Sequence, residues 1–344
     1  YCTDWLQRIQ RETAAGNSGM SIERVVERIK QAGRGRDYDC IVGVSGGVDS
    51  TYVAWLARQQ GLRPLAVHFD NGWNSELAVD NVHRVLDQLH IDLHTHVVDW
   101  EEFRDLQLSF IKAGVTNLEI PTDHGISALL HNTAARHGVK YLLSGGNIRS
   151  EGIYPRSWGW YDLDLRHLRA VHRRHGRVPL RTFPQLSLPR FAWNTLVRGV
   201  RIVPVLNYVD YSKPQAMAFL QKELGWRPYG GKHYESIFTR FYQGYILPRK
   251  YGVDKRRAHL TTLVLSGEMT RAAALAQLAH DAYAGQDAAR DRDFFLKKFD
   301  LSLTEFEKWI SEPPQAHTDF ANNGWFFERM PALKRWAKKI ASRA

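Results

Sequence analysis

Cysteine is nearly missing from this sequence: Cys2 and Cys40 are the only two. Two thiols cannot build a disulfide framework, which fits a reducing compartment. No apolar run reaches the roughly 18–20 uncharged residues that a membrane-spanning helix needs, and no signal peptide is evident. A cytoplasmic protein without a membrane partner is therefore the expectation. The chain opens on Tyr1 instead of methionine, so further residues upstream are expected. Internal repeats and low-complexity tracts are absent, and so is the common nucleotide loop G-x-x-x-x-G-K-[ST]. What remains, 344 residues with 44% hydrophobic and 24% charged content, describes a globular chain with one large domain and a smaller one.

The first informative stretch is "CIVGVSGGVDSTYVAWL" at 40–56. Residues 38–44 form an apolar run typical of a strand covered on both faces, and helical spacing begins at Val48. Between them lie Ser45, Gly46, Gly47, Asp49 and Ser50, at a helix start where free N–H groups and the dipole favour an anion. Asp49 suits a phosphate site only through a metal ion that the phosphates also touch. A plain turn with one cap needs fewer of these residues. Strand–loop–helix with S-G-G-x-D-S resembles the PP-loop of ATP pyrophosphatases, which cleave ATP between the α and β phosphates.

Further strands are predicted at 63–69, 92–98 and 140–144, and helices at 22–32, 48–60, 75–90, 101–112 and 123–137. Alternation of this kind implies right-handed crossovers and an α/β, doubly wound parallel sheet, with ligands beyond the strands' carboxyl ends. Segments near 179–189 and 204–214 read as irregular, and the chain beyond 255 as mostly helical. The expected domains are an N-terminal helical segment at 1–37, a nucleotide domain at 38–165 and a basic, helical region at 166–344. In the loop "AVHFDNGWNSE" the backbone at Val67 and Phe69 is placed to read adenine, with Asp70 or Asn71 facing the ribose or the acceptor; His68 of this loop and Val44 at the end of the first strand are further nucleotide-binding candidates. The loop "LLSGGNIRSEG" adds Ser144, Gly145 and Asn147. It also brings Glu151, which with Asp49 makes a two-carboxylate Mg²⁺ site.

The net charge of +11 is local. From Arg166 to Arg201 there are nine arginines and neither lysine nor acid. From Arg227 to Arg257 eight basic residues face Glu235 and Asp254, a net +6, so the remainder of the chain is negative. Such segments serve either a polyanion track or a pocket for a compact anion, and the interleaved aromatics and glycines of the second favour a pocket.

The segments "SGGVDST", "AVHFDNGWNSELAVDN", "DWEEFRDLQ", "IPTDH", "SGGNIRSEG", "LNYVDY" and above all "GWRPYGGKHYESIFTRFYQGYILPRKYGVDKRRAHL" resemble the N-acetyl sugar amidotransferases of bacterial surface-polysaccharide (lipopolysaccharide O-antigen) biosynthesis. The likeness runs over nearly the whole chain. It implies the PP-loop fold of the adenine nucleotide alpha hydrolase type. It further implies ATP-dependent conversion of an acetamido group on a nucleotide-linked sugar into an acetamidino group. Ammonia would come from a glutaminase subunit, with a cyclase-like protein as conduit. The family opens with a cysteine-rich segment that holds zinc, of which Cys2 alone is present here, and one cysteine is not a site.

The chemistry runs parallel to that implication. An amide oxygen must be activated before ammonia displaces it, and adenylation supplies AMP as the leaving group. Cationic groups and Mg²⁺ then neutralise the pyrophosphate. Lys232, His233, Arg240, Lys250, Lys255 and Arg256 are the candidates for that role or for the sugar nucleotide's diphosphate; the alternative is a solvated basic face. Cys40, inside a strand, reads as a core residue and not as a glutaminase nucleophile, so ammonia is imported. A PP-loop tRNA-modifying enzyme is the competing reading, since the arginine-rich segment can hold phosphates. Nucleic acid ranks second because that segment has no lysine and no thiolation-type cysteine pair occurs. A non-catalytic nucleotide-binding subunit is the third class.

Overall fold

Apolar runs of four to seven residues build the centre of the molecule. The computed structural model describes residues 3, 5–6, 21–229, 235–281, 283 and 288–329. Strands β1 (Cys40–Gly43), β2 (Pro64–Asp70), β3 (Asp92–Val97), β4 (Tyr141–Ser144) and β5 (Arg201–Pro204) pair in the order β3-β2-β1-β4-β5. Every pairing is parallel. Helices α1 (Ile22–Ala32), α2 (Val48–Gln59), α3 (Glu76–Leu89), α4 (Trp100–Ala113) and α5 (Ile120–His137) lie within a few residues of the predicted spans. The fold is the expected doubly wound α/β sheet. Four strands match the prediction. The fifth falls where irregular chain was expected, because "RIVP" is four residues long, exposed at its start and closed by a proline.

Each face of the sheet carries its own core, as alternation of side chains along a strand requires. Ile41, Leu65, Val67 and Leu142 point to one core, with Phe103 and Phe110 of α4 and Leu129 of α5. Cys40, Val42, Ala66 and Leu143 point to the other, with Val53 of α2, Val82 of α3 and Leu220 of the helix Lys213–Leu224.

The described residues beyond 255 are mostly helical, as predicted, and together with the helical stretch that begins at Ile237 they extend the first core. Trp73, 1% exposed, donates its indole N–H to Gln107 at 2.8 Å and packs at 5.3 Å from both Phe238 and Phe299. Full burial of side chains this size stabilises by roughly 1.5–3 kcal/mol each. The C-terminal helices are thus part of the wall around the sheet.

From β1 the chain steps to β2 and β3 on one side, then returns to β4 and β5 on the other. The crevice between the carboxyl ends of β1 and β4 is the topological switch point, the preferred ligand position in such sheets.

Candidate active site

Both glycine-rich loops border this crevice. Gly46 has φ +81°, and a Cβ there would lie 2.4 Å from the Ala78 carbonyl oxygen, so only glycine fits. The N-cap of α2 is Gly47, which offers no side chain; the Val48 N–H meets the Tyr229 hydroxyl, and the helix dipole there favours an anion. Ser45 and Ser50 brace the loop: their hydroxyls are 3.3 Å apart, and Ser50 Oγ donates to the Gly47 carbonyl at 3.2 Å. From the C-terminal side, the Trp226 indole donates to the Gly46 carbonyl at 2.9 Å.

A cavity of about 440 Å³ opens onto this loop, lined by Ser45, Gly47, Asp49, Ser50, Glu151 and Lys213 among others. Asp49 accepts hydrogen bonds from the Tyr211 hydroxyl and from Lys213 Nζ, the latter at 3.5 Å. Burial and the Asp49 carboxylate both push the Tyr211 hydroxyl far above its ordinary range, so it stays a donor. Asp49 and Glu151 border one space as expected, a hard-oxygen pair that suits Mg²⁺. Among the described residues no group of three or more His, Cys, Asp or Glu could hold a metal unaided. Two carboxylates fit a Mg²⁺ whose other ligands are phosphate oxygens and water. The zinc expectation at Cys2 lies outside the described residues, as do Lys232 and His233. Their flanks Tyr229 and Glu235 both line this cavity.

The crevice itself is a cleft of about 590 Å³, lined by Gly43, Val44, Ser45, Val67, His68, Phe69, Ser144 and Gly145 and walled by α5. His68 is buried. Its Nδ1 lies 2.8 Å from the Val44 carbonyl, which only accepts, so Nδ1 carries the proton and Nε2 accepts from Asn74 at 3.3 Å. Two predicted residues do other work. Asp70 accepts from the Gly72 N–H at 3.0 Å and holds the turn, and Asn147 caps the short helix Ile148–Glu151 through the Ser150 N–H at 2.9 Å.

Two further cavities join the cleft. One of about 670 Å³ is lined by Glu151, Tyr154, Trp158, Arg240, Gln243, Lys255, Arg256 and His259. It shares Gln243 and Lys255 with the cleft. The other, about 380 Å³, is bordered by Glu119, Asp123, Tyr154, Trp160, Asp162 and Lys255. Glu119 accepts from Lys255 Nζ at 2.9 Å and from Gln243 at 3.0 Å. Burial opposes the Lys255 charge, but Glu119 outweighs it and holds the ammonium in its charged form. Burial, then the charges of Glu119 and Asp162, raise the Asp123 carboxyl well above the usual carboxylate range.

The cations predicted for phosphates are largely engaged with protein groups. Arg240 meets Asp291 through two hydrogen bonds of 2.7 and 2.6 Å. Arg256 holds Asp254 at 2.8 Å and the His280 carbonyl at 3.0 Å. Lys250 is buried and donates to the carbonyls of Trp309 and Glu312. Sequence reasoning missed Tyr211, Lys213, Glu119 and Asp123. The first two lie just after the overlooked strand β5, at the sheet edge where its carboxyl end faces the site; that strand was the available signal.

Residues 235–334 match the family described as LPS biosynthesis protein WbpG-like, C-terminal domain, and residues 36–146 match the asparagine synthase family. The tRNA-specific 2-thiouridylase MnmA of Escherichia coli O1:K1 is 33% identical over 132 residues, 34% of this chain and 36% of that protein. The same enzyme of Salmonella arizonae is 34% identical over 132 residues, with the same shares of 34% and 36%. The chain spans about a third of the length of these curated relatives. A solved NMN synthetase from Francisella tularensis aligns over 88% of this chain and 98% of its own, at 14% identity and a TM-score of 0.36.

Proposed function

We propose that this chain, a WbpG-like member of the PP-loop superfamily, is an ATP-dependent amidotransferase that turns the acetamido group of a nucleotide-linked sugar into an acetamidino group. The observation that carries this reading is continuity: the anion loop, the nucleotide cleft and an aromatic-walled cavity with the half-buried Lys255 share their walls. An enzyme that joins ATP to a second, sugar-bearing substrate needs both spaces side by side.

ATP lies in the cleft with its phosphates on the loop. The acceptor's amide oxygen attacks the α phosphorus, and the bond to the β-phosphate oxygen breaks. Lys213 and the α2 N–H groups stabilise the charge that collects on the departing pyrophosphate. Asp49 and Glu151 would hold a Mg²⁺, which would supply further neutralisation of the phosphates. Ammonia adds to the activated carbon, AMP leaves with the former amide oxygen, and loss of a proton yields the amidine. Tyr154 and Trp158 offer faces for the sugar in the larger cavity. Lys255, Lys232 and His233 are the remaining cations for the acceptor's diphosphate. Ammonia comes from a glutaminase partner, with a cyclase-like protein as conduit.

The test is to incubate the chain with ATP, labelled ammonium and a panel of nucleotide-linked acetamido sugars. The product should weigh about one mass unit less than the acceptor before labelling and carry the label. One AMP and one pyrophosphate should appear per product. ADP with phosphate would overturn the assignment of the loop. The tRNA reading draws on the 33% identity to the 2-thiouridylase over 132 residues. It predicts tRNA affinity that falls steeply with salt.

A further inference from the structure

The amidine-forming step sheds a proton whose destination is still open. When ammonia adds to the activated carbon, its lone pair becomes the new C–N bond and the nitrogen turns positive. Until that nitrogen gives up a proton, ammonia departs more readily than AMP and the addition reverses. The acceptor has to lie where the nucleotide and the sugar-bearing substrate meet.

The cavities mark that place. Lys255 lines the nucleotide cleft, the aromatic-walled cavity and the small cavity of about 380 Å³, so the three spaces converge on it. Three carboxyl groups border the small cavity beside this lysine: Glu119, Asp123 and Asp162. Two of them are engaged. Glu119 accepts from Lys255 and Gln243, and Asp162 accepts from the Ser127 hydroxyl at 3.0 Å. Asp123, in the first turn of α5, borders both the cleft and the small cavity and faces their open space. Among the described residues nothing donates a hydrogen bond to its oxygens.

The groups that face Asp123 set its basicity. They are Glu119 at the cap of its own helix, Tyr154 and Asp162 of the segment 152–164, and Lys255. The enclosing walls and then the two carboxylates raise its carboxyl above the usual range, and Lys255 offsets part of that rise. A raised carboxyl is a stronger base than an ordinary one, and proton transfer is fastest when the acceptor's pKa lies near the working pH.

We propose that Asp123 is the proton acceptor for the attacking nitrogen in the amidine-forming step. The proposal rests on the amidotransferase reading above and names a residue for the step which that reading leaves open. The proton passes from the adduct's nitrogen to an Asp123 oxygen. The electron pair left on nitrogen forms the C=N bond as the C–O pair departs with AMP, which gives the amidine in its protonated form. The neutral carboxyl then returns its proton to water through the small cavity. Glu119 and Asp162 also attract the positive nitrogen, while the neutral acetamido group gains little from them. The wall thus favours the transition state over the substrate.

The test compares the full chain with Asp123→Asn, each given ATP and the panel of nucleotide-linked acetamido sugars. At saturating ammonium the variant's kcat should fall about 100-fold or more. Acceptor-dependent exchange of labelled pyrophosphate into ATP reads the adenylation that precedes nitrogen attack. It should fall less than about fivefold, which also shows that the variant is folded. Hydroxylamine forms an adduct whose nitrogen is far more acidic and sheds its proton to water. With it the deficit should shrink about tenfold or more. The wild-type kcat should drop as pH falls through the raised carboxyl pKa, and Asp123→Asn should lose that drop. A near-normal kcat of the variant with ammonium overturns the proposal, as does a pH drop that survives in it. An equal loss with ammonium and hydroxylamine marks a structural role and overturns it too. If the wild type converts no acetamido sugar with either nucleophile, the amidotransferase reading falls and takes the proposal with it.

Discussion

Residues 166–201 and 227–257 carry charge of the same sign, nine arginines in one and a net +6 in the other. In the second segment five of the eight cations pair with acids within the fold: Arg227 with Asp80, Arg240 with Asp291, Arg249 with Asp281, Lys255 with Glu119 and Arg256 with Asp254. In the first, no arginine forms an ion pair among the described residues. Three of its guanidinium groups meet carbonyls or an amide: Arg166 meets Asn322 at 3.4 Å, Arg198 meets Ala135 at 2.8 Å and Arg169 meets Gln185 at 2.9 Å. A basic run that pairs inward shapes a pocket; one that does not keeps its charge at the surface.

The largest effect should come from neither segment. Lys213 lies between them and faces the anion loop beside Asp49. Lys213→Met and Asp49→Asn should each reduce ATP cleavage about 100-fold or more, the cost of losing one preorganised charge at a reacting phosphate. Unfolding midpoints should hardly move. If Lys213→Met keeps near-normal turnover while an arginine of 166–201 proves essential, the contrast between the segments is drawn wrongly.

Arg240→Met tests the inward pairing. It leaves Asp291, 6% exposed, without its bidentate partner, and should cost about 3 kcal/mol in denaturant unfolding. Adding Asp291→Asn should recover part of that loss. An unaltered midpoint would mean that the pair is not the structural element the geometry describes.

Acid should separate the two regions by a different route. Burial lowers His131 and His167 to about 4 and, with His167 beside it, His317 to about 3. Each is depressed below the unfolded value, so the full stability is present above about pH 6.5 and falls as pH drops toward 4. At pH 5 each should cost about 1–2 kcal/mol. Hydrogen exchange between pH 7 and 5 should therefore loosen the helix Leu165–His175, which carries His167, before the helix Ile237–Phe241. The reverse order would contradict the burial of these rings.

The smallest effect belongs to the unpaired surface. Arg173→Gln, in an exposed position, should change stability by less than about 0.5 kcal/mol. A larger change in the thermal midpoint would reveal an internal role for the first segment.

What the sequence made legible follows from how local each signal is. The runs around Ile41 and Leu65 betray buried strands, and Ser45–Ser50 betray the loop, because these patterns are read within a few residues. Strand β5 escaped, since four edge residues with Arg201 and Ile202 exposed show no alternation of burial. The fate of the cations was out of reach for another reason. Asp291 lies 51 residues from Arg240, and Glu119 lies 136 from Lys255, so only the folded chain pairs them. Lys213 was hidden behind the missing strand.

The C-terminal half has a consequence for how such chains could be recombined. It is fastened on the nucleotide half at three places: Trp226 to the Gly46 carbonyl, Arg227 to Asn81 in both directions, and Glu235 to the Ser75 N–H. The two halves are therefore not interchangeable beads. A chimera that joins this C-terminal half to a foreign PP-loop half would have to import Asn81, the open carbonyl of Gly46 and Glu119 with it. Without these, the buried Trp226 and the half-buried Lys255 would arrive as donors with no acceptors, and the graft would fail at the seam before its chemistry was tried.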